Sequence, residues 1–153
     1  MLFRSDNLNE WWIDPDFFEK QSDGALKFLP INGDYRVTAN AVLKYFSVMA
    51  LKDGKPAKLQ DDGTGAIWAI GKGIGKPSVT SSEVGWEPSK ALCLAQVASK
   101  KYQLTLKAGE TLKTSGDPEV ISFKFFHQND WGGEFGNYAS RSEERRVGKE
   151  CRL

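Results

Sequence analysis

Residues 121–136 read ISFKFFHQNDWGGEFG, and this segment predicts a β-strand that runs into a glycine-rich loop. Apolar residues alternate with Ser122 and Lys124 over the first half, which is the two-residue period of a half-buried strand. The alternation stops at Asn129, and the two adjacent glycines that follow exclude a continuing regular strand. Trp131 lies between the break and the glycines, so a large apolar side chain is predicted on a surface loop.

Trp131 has two interpretations at this point. Its ring can stack on the apolar face of a pyranose, while Gln128, Asn129 and Lys124 can hydrogen-bond with sugar hydroxyls. The same ring could instead cap the end of a β-sandwich core. The loop alone therefore leaves sugar binding and core packing open.

The 153-residue chain has a composition typical of a soluble globular protein, with 40% hydrophobic and 27% charged residues. This is enough for one domain or two small ones. No apolar run approaches the roughly 18 residues of a membrane helix. The residues that follow Met1 have no apolar core, so they do not resemble a signal peptide.

The last residues, 141–153, are expected not to belong to the fold. The segment RSEERRVGKEC resembles the in-frame translation of a sequencing-adapter oligonucleotide. Without this segment 16 basic and 17 acidic residues remain, so the net charge changes from +1 to −1. Arg145–Arg146 then gives no indication of nucleic-acid binding. The native protein is expected to continue past Ser140, and Met1 can be internal to a longer protein.

Short alternating segments separated by turn residues recur along the chain, and no segment of 12 residues has a helical period. Strands are predicted at residues 25–31, 35–39, 43–51, 66–70, 92–97 and 101–107. Asn32–Asp34 predicts a tight β-hairpin and Asn40–Ala41 allows another turn. Residues 71–90 are predicted to be a long irregular loop. The pattern predicts an all-β fold, an antiparallel β-sandwich of the immunoglobulin-like or carbohydrate-binding-module-like kind, truncated at its C-terminus.

Motifs for nucleotide, metal and catalytic chemistry fail on inspection. The run GKGIGKPS has Lys76 where the dinucleotide fingerprint needs glycine, and Pro77 where a phosphate loop needs Ser or Thr. His127 is the single histidine, and its spacing to Asp130 and Glu134 matches no recognised metal site. Acidic residues occur on predicted loops, but nothing arranges two of them across a cleft for glycoside hydrolysis. We therefore predict a protein that is not an enzyme, with no metal and no cofactor.

The tryptophans and the cysteine complete the pattern. Trp68 lies in an apolar run and is predicted to be core, and Cys93 is predicted to be a buried thiol without a disulfide. Trp86 and Trp131 both lie on loops beside glycines. Together with Lys90, Lys124, Gln128 and Asn129, they predict an aromatic platform with hydrogen-bonding edges.

Four segments follow one another in an order that resembles a known family: IWAIG, GWEPSKALCLA, KKYQLTLKAG and FKFFHQNDWGGEFG. The order is similar to that in modules of SusE/SusF-type outer-membrane lipoproteins of gut Bacteroidetes, and the resemblance covers about Gly65 to Gly136. Residues 8–60 resemble the closing strands of a preceding related module. The expected division is therefore residues 1–62 for the end of a first module, 63–140 for an incomplete second module, and 141–153 for the foreign tail.

The resemblance implies a β-sandwich that is held by a lipid at the cell surface, in the outer membrane, and binds polysaccharide without catalysis. It places Trp86 on the Gly-Trp loop and Trp131 on the Asp-Trp-Gly loop as sugar platforms. Other outer-membrane glycan-uptake proteins are the implied partners. The lipoprotein signal and the last strands of the second module are missing from this sequence, and the loop at 71–85 is longer than the family leads us to expect.

Two other functions remain open: a structural spacer of the same fold, and an accessory domain of a secreted glycoside hydrolase. A binding module would leave Trp86 and Trp131 accessible on the same side of the protein. A spacer would bury both rings.

Overall fold

The computed structural model describes residues 2–3, 8–114, 121–135 and 150–152, and the first and last of these ranges are described by their backbone alone. Residues 136–149, which hold most of the expected foreign tail, lie outside the described part of the chain. The strands are β1 (Leu2–Phe3), β2 (Phe18–Lys20), β3 (Leu26–Phe28), β4 (Asp34–Asn40), β5 (Tyr45–Lys52), β6 (Lys55–Pro56), β7 (Trp68–Gly75), β8 (Glu83–Gly85), β9 (Leu92–Cys93), β10 (Ala95–Ala98), β11 (Lys101–Gln103), β12 (Thr105–Lys107), β13 (Ser122–Phe126) and β14 (Glu150–Arg152). One α-helical turn, α1 (Val79–Ser82), and two 3₁₀ turns, Leu8–Glu10 and Pro88–Lys90, complete the elements.

The fold is all-β and sandwich-like, as the sequence predicts, and its strands pair antiparallel in several small sheets. The sheets have the orders β1-β3-β2, β4-β5-β6, β10-β11, β12-β14 and β13-β7-β8, and β9 also pairs with β7. Within the described residues, no helix is long and apolar enough to cross a membrane.

Strand β7 is longer than the sequence suggests. The expectation was a short strand at residues 66–70 followed by an irregular loop, but Trp68–Gly75 is one strand. A Cβ atom on Gly71 would lie 2.3 Å from the Cα of Phe123, and one on Gly75 would lie 2.3 Å from the carbonyl oxygen of Ser82. These glycines therefore allow neighbouring backbones to approach closely, a second use of strand glycine besides turns.

The hairpin of β4 and β5 confirms one predicted turn and corrects another. Asn40 ends β4, and its Oδ1 accepts hydrogen bonds from the backbone N–H groups of Val42 and Leu43. Asn32–Asp34, in contrast, does not join paired strands, because β3 pairs with β1 and β2 and β4 pairs with β5. The turn chemistry at 32–34 redirects the chain from one sheet to the next.

Three apolar clusters form the core, and two of them join residues from before and after position 60. The first lies within the later part and contains Ile70, Ile74, Leu104, Leu106 and Phe126. The second packs Ala95 against Phe17, Phe18, Leu26 and Val48, and the third packs Trp68 and Cys93 against Ala57. Trp68 is buried, and Cys93 is a free buried cysteine, so both predictions are confirmed.

A buried ionic cluster also links the two parts. The Nζ of Lys76 lies 2.6 Å from Oδ2 of Asp14 and 3.7 Å from Oδ2 of Asp16, and all three side chains are at most 5% exposed. Asp16 accepts three further hydrogen bonds, from the backbone N–H and the hydroxyl of Thr105 and from the amide of Gln103. Local sequence patterns do not indicate this cluster, because residues 62 positions apart form its closest ion pair.

The opposite charges of the cluster stabilise one another's ionised forms. Burial opposes the charged form of Lys76, but the attraction of Asp14 and Asp16 outweighs it and raises the pKa of the ammonium group above its ordinary value. Burial raises the pKa of Asp14, although Lys76 partly offsets this increase. Lys76 is therefore the charge that allows two carboxylates to stay in the interior.

The end of the chain makes a contact that we did not expect. We predicted a tail that lies apart from the fold, but Glu150–Arg152 pairs antiparallel with Thr105–Lys107. An unpaired strand edge offers a row of free N–H and C=O groups and accepts whatever extended segment is within reach. The edge of β12 is therefore a place where a further strand can add.

Replacing Lys76 by Met should lower the free energy of unfolding by about 3–5 kcal/mol, because it leaves two carboxylates buried without their cation. Denaturant unfolding followed by circular dichroism measures the change. Lys72→Met on the same strand is the matched control, since Lys72 is exposed, and it should change stability by less than about 0.5 kcal/mol.

The loss in Lys76→Met should also shrink as the pH falls from 7. Without the ammonium, the pKa of Asp14 rises further above its ordinary value of 3.8. The folded state then binds a proton before the unfolded state does, so acidification through that window stabilises it. A loss below about 1 kcal/mol at pH 7, or one independent of pH, would contradict the role given to the cluster.

Candidate functional site

The loop that carries Trp131 is the tip of a hairpin. Phe126 at the end of β13 forms an antiparallel bridge with Glu134, and the N–H of Phe135 donates to the carbonyl of Phe125. The N–H of His127 donates to the carbonyl of Gly133 and closes the loop at its base. Gly132 and Gly133 have φ angles of 86° and 65°, the left-handed region that favours glycine. The two glycines thus turn the chain back toward β13 and leave Trp131 at the tip of the loop.

The loop that carries Trp86 leaves the other edge of the same sheet. Gly85 in β8 pairs with Gly71 of β7, and Leu92 in β9 pairs with Ala69 of β7, so β8 and β9 lie along one edge. Residues 86–91 leave the sheet between these two pairings. A 3₁₀ turn at Pro88–Lys90 brings the chain back.

The two loops bring their tryptophans into contact. The ring centroids of Trp86 and Trp131 are 6.3 Å apart at an interplanar angle of 26°, which is a stacked arrangement. Phe126 supports Trp131 edge-on at 5.9 Å. Trp86 is 37% exposed and Trp131 49% exposed, so the pair forms an apolar surface that water reaches. We call this pair the tryptophan surface.

The stacking changes how the surface can be used. Each ring covers part of one face of the other, so the rings do not act as two separate platforms. The faces and edges turned outward remain available for a ligand. The combined apolar area suits the C–H face of a sugar ring, while the mutual stacking stabilises the two loops by about 0.5–1.5 kcal/mol.

Three of the four predicted polar partners, Gln128, Asn129 and Lys124, lie on β13 or its hairpin loop, and the fourth, Lys90, does not. Gln128 lies at the tryptophan surface, because its amide donates to the carbonyl of Trp131. Asn129 has a buried Oδ1 without a hydrogen-bond partner among the described residues. Lys124 is half exposed and forms an ion pair of 2.9 Å with Glu134. Lys90 pairs instead with Glu87 at 3.5 Å and lines a separate cleft.

Two residues of this site were missed from the sequence. Glu134 was considered as a metal ligand, but it neutralises Lys124. Phe126 was not singled out, although it supports Trp131. Both roles depend on the antiparallel bridge between Phe126 and Glu134. The sequence could have indicated them only if the length of the hairpin loop had been known.

His127 packs against an aromatic ring. Its ring lies edge-on to Phe135 with centroids 4.5 Å apart. Within residues 8–114 and 121–135, no group of three His, Cys, Asp or Glu side chains is placed to hold a metal ion.

The stacked pair should give an exciton couplet in the far-ultraviolet circular dichroism spectrum, because two indoles at this distance and angle couple. Trp86→Phe and Trp131→Phe should each remove the couplet. Trp12→Phe is the control and should retain it, since Trp12 lies against Tyr45 instead. If each variant spectrum differs from that of the parent only by the contribution of one isolated indole, with no loss of a couplet, the stacking is contradicted.

Two family models match consecutive parts of the chain. Residues 4–59 match the model described as Domain of unknown function (DUF5125), and residues 62–145 match the model described as Domain of unknown function (DUF5121). No curated protein and no solved structure matches the chain. Because the second match covers more than half of the 153 residues, the chain belongs to the family Domain of unknown function (DUF5121).

Proposed function

We propose that this protein binds polysaccharide without catalysing a reaction, and that the tryptophan surface is its binding site. The observation that supports this proposal is the contact between Trp86 and Trp131, which brings two loop residues 45 positions apart into one exposed apolar patch. Exposed tryptophans cost solvation free energy, and a contiguous exposed apolar patch commonly marks an interaction site.

Ring contact and hydrogen bonds together set the expected affinity. Removing about 50 Å² of the surface of each ring from water contributes about 1 kcal/mol per ring at 25 cal/mol per Å². Each hydrogen bond between a sugar hydroxyl and Gln128, Asn129 or Lys124 adds about 1 kcal/mol. Immobilising the sugar offsets part of these terms, so we expect a Kd on the order of 0.1–1 mM.

The cellular setting is part of the same proposal. The order of motifs that resembles SusE/SusF-type modules supports a surface protein of the outer membrane, held there by a lipid in the full-length protein. Other glycan-uptake proteins of that membrane would be its partners. Weak affinity per module suits such a setting, because several modules on one polymer raise the effective affinity.

A structural spacer is the second candidate, and a specific observation favours it. Two apolar clusters and the ion cluster of Lys76 join the residues before and after position 60. Such a joint is suited to holding two modules at a fixed angle. The partial mutual burial of the tryptophans also fits packing. An accessory domain of a secreted glycoside hydrolase remains a third candidate.

Affinity electrophoresis against soluble glucans, xylans and mannans should identify a polysaccharide that retards the protein. Trp86→Ala and Trp131→Ala should each weaken binding by about tenfold or more, because each removes roughly 1–1.5 kcal/mol of contact. Binding should then fall below detection. The melting temperature, followed by circular dichroism, should change by no more than a few degrees.

Val42→Ala is the matched control, since Val42 is 89% exposed on the β4–β5 turn, and it should bind as the parent does. If both tryptophan variants keep the parent's affinity, the tryptophan surface is not the binding site. If each variant unfolds the protein, the rings are core residues and the spacer function is favoured.

A further inference from the structure

We infer that the cleft between the β4–β5 hairpin and strands β7 and β9 is a second binding site, which takes a single sugar acid such as a hexuronate. The cleft has a volume of about 260 Å³. Its walls come from residues on both sides of position 60, among them Arg36, Ser47, Trp68 and Leu92. Boundaries between packed units are common positions for ligand sites. This inference does not depend on the tryptophan surface.

The strand register shows that the hairpin turns a polar face to this cleft. Arg36 pairs with Met49 and Thr38 pairs with Ser47 across β4 and β5, and directly paired residues lie on the same face of a sheet. All four line the cleft. The intervening residue Val37 packs in the second apolar cluster instead. Arg36 and Thr38 are exposed and Ser47 is half-buried, so the guanidinium and the hydroxyls line the cleft within reach of a ligand from solvent.

These polar groups have no partner in the part of the chain that the structure describes. Among the described residues, the side chains of Arg36, Thr38, Ser47 and Ser89 form no hydrogen bond or ion pair. At the floor of the cleft, by contrast, Lys76 and Asp14 are 2.6 Å apart and satisfy each other. The groups that can recognise a ligand are therefore the guanidinium and the hydroxyls, and the buried ion pair serves as a fixed floor.

The chemistry of these groups defines the ligand. A planar guanidinium binds a carboxylate through two parallel hydrogen bonds, so Arg36 selects an anionic group. The hydroxyls of Thr38, Ser47 and Ser89 donate to and accept from hydroxyl groups of a ligand. Met49 and Leu92 supply apolar wall for the C–H face of a ring. A volume just below the roughly 300 Å³ at which drug-sized sites begin suits one ring with a carboxylate.

The test is a chemical-shift titration of the intact chain with D-galacturonate and D-glucuronate. D-galactose and D-glucose are the neutral counterparts, and sulfate tests charge alone. Uronates should bind at least about tenfold more tightly than the neutral sugars and than sulfate. Arg36→Gln should raise the Kd for uronate by about tenfold or more and remove the preference over the neutral sugar.

Three further variants complete the design. Ser47→Leu should abolish binding by filling the cleft, and Lys55→Gln, which changes an exposed cation of the same sheet, should bind as the parent does. Trp131→Ala should also leave uronate binding unchanged. The inference is wrong if no uronate binds, if neutral sugars or sulfate bind equally well, if Arg36→Gln has no effect, or if Trp131→Ala removes uronate binding.

Discussion

The ammonium of Lys76, held between Asp14 and Asp16, is the interaction on which the arrangement of the protein depends. Each carboxylate alone would be costly in an apolar interior. Together with the lysine they form a cluster that is stable in one geometry only, because hydrogen bonds from Thr105 also fix the position of Asp16. The cluster connects the turn before β2, the end of β7 and the start of β12. It therefore sets how the two matched regions pack, whatever it contributes to net stability.

Strand β7 connects the ion cluster to the loops that carry the two tryptophans. Its C-terminal end leads directly to Lys76, and its two edges carry β13 on one side and β8 and β9 on the other. The loops after β8 and β13 therefore begin at the ends of two strands that both pair with β7, and their tryptophans meet. The proposed sugar-binding surface and the proposed cleft both follow from this single central strand, one at the loops beside it and one at its packing against β4 and β5.

Local patterns in the sequence predicted much of the fold but not its long-range contacts. The alternation in β13, the Asn40 turn, the buried Trp68 and the buried Cys93 all follow from neighbouring residues and were predicted correctly. Strand β7 was cut short because Gly71 and Gly75 resemble turn residues, whereas their role is close backbone approach. The meeting of Trp86 with Trp131 was an expectation from loop composition. The ion pairs of Lys76, the partner of Lys124 and the polar face of Arg36 depend on strand register, which single-sequence patterns do not determine.

The most direct test of the proposed function is to follow the indole N–H signals of the five tryptophans by two-dimensional NMR while the polysaccharide identified by electrophoresis, or its oligosaccharide fragment, is added. Single Trp→Phe variants assign the signals. The account predicts that the signals of Trp86 and Trp131 shift together with one saturation curve, while those of Trp11, Trp12 and Trp68 stay in place. Saturable binding that shifts neither Trp86 nor Trp131 would contradict it.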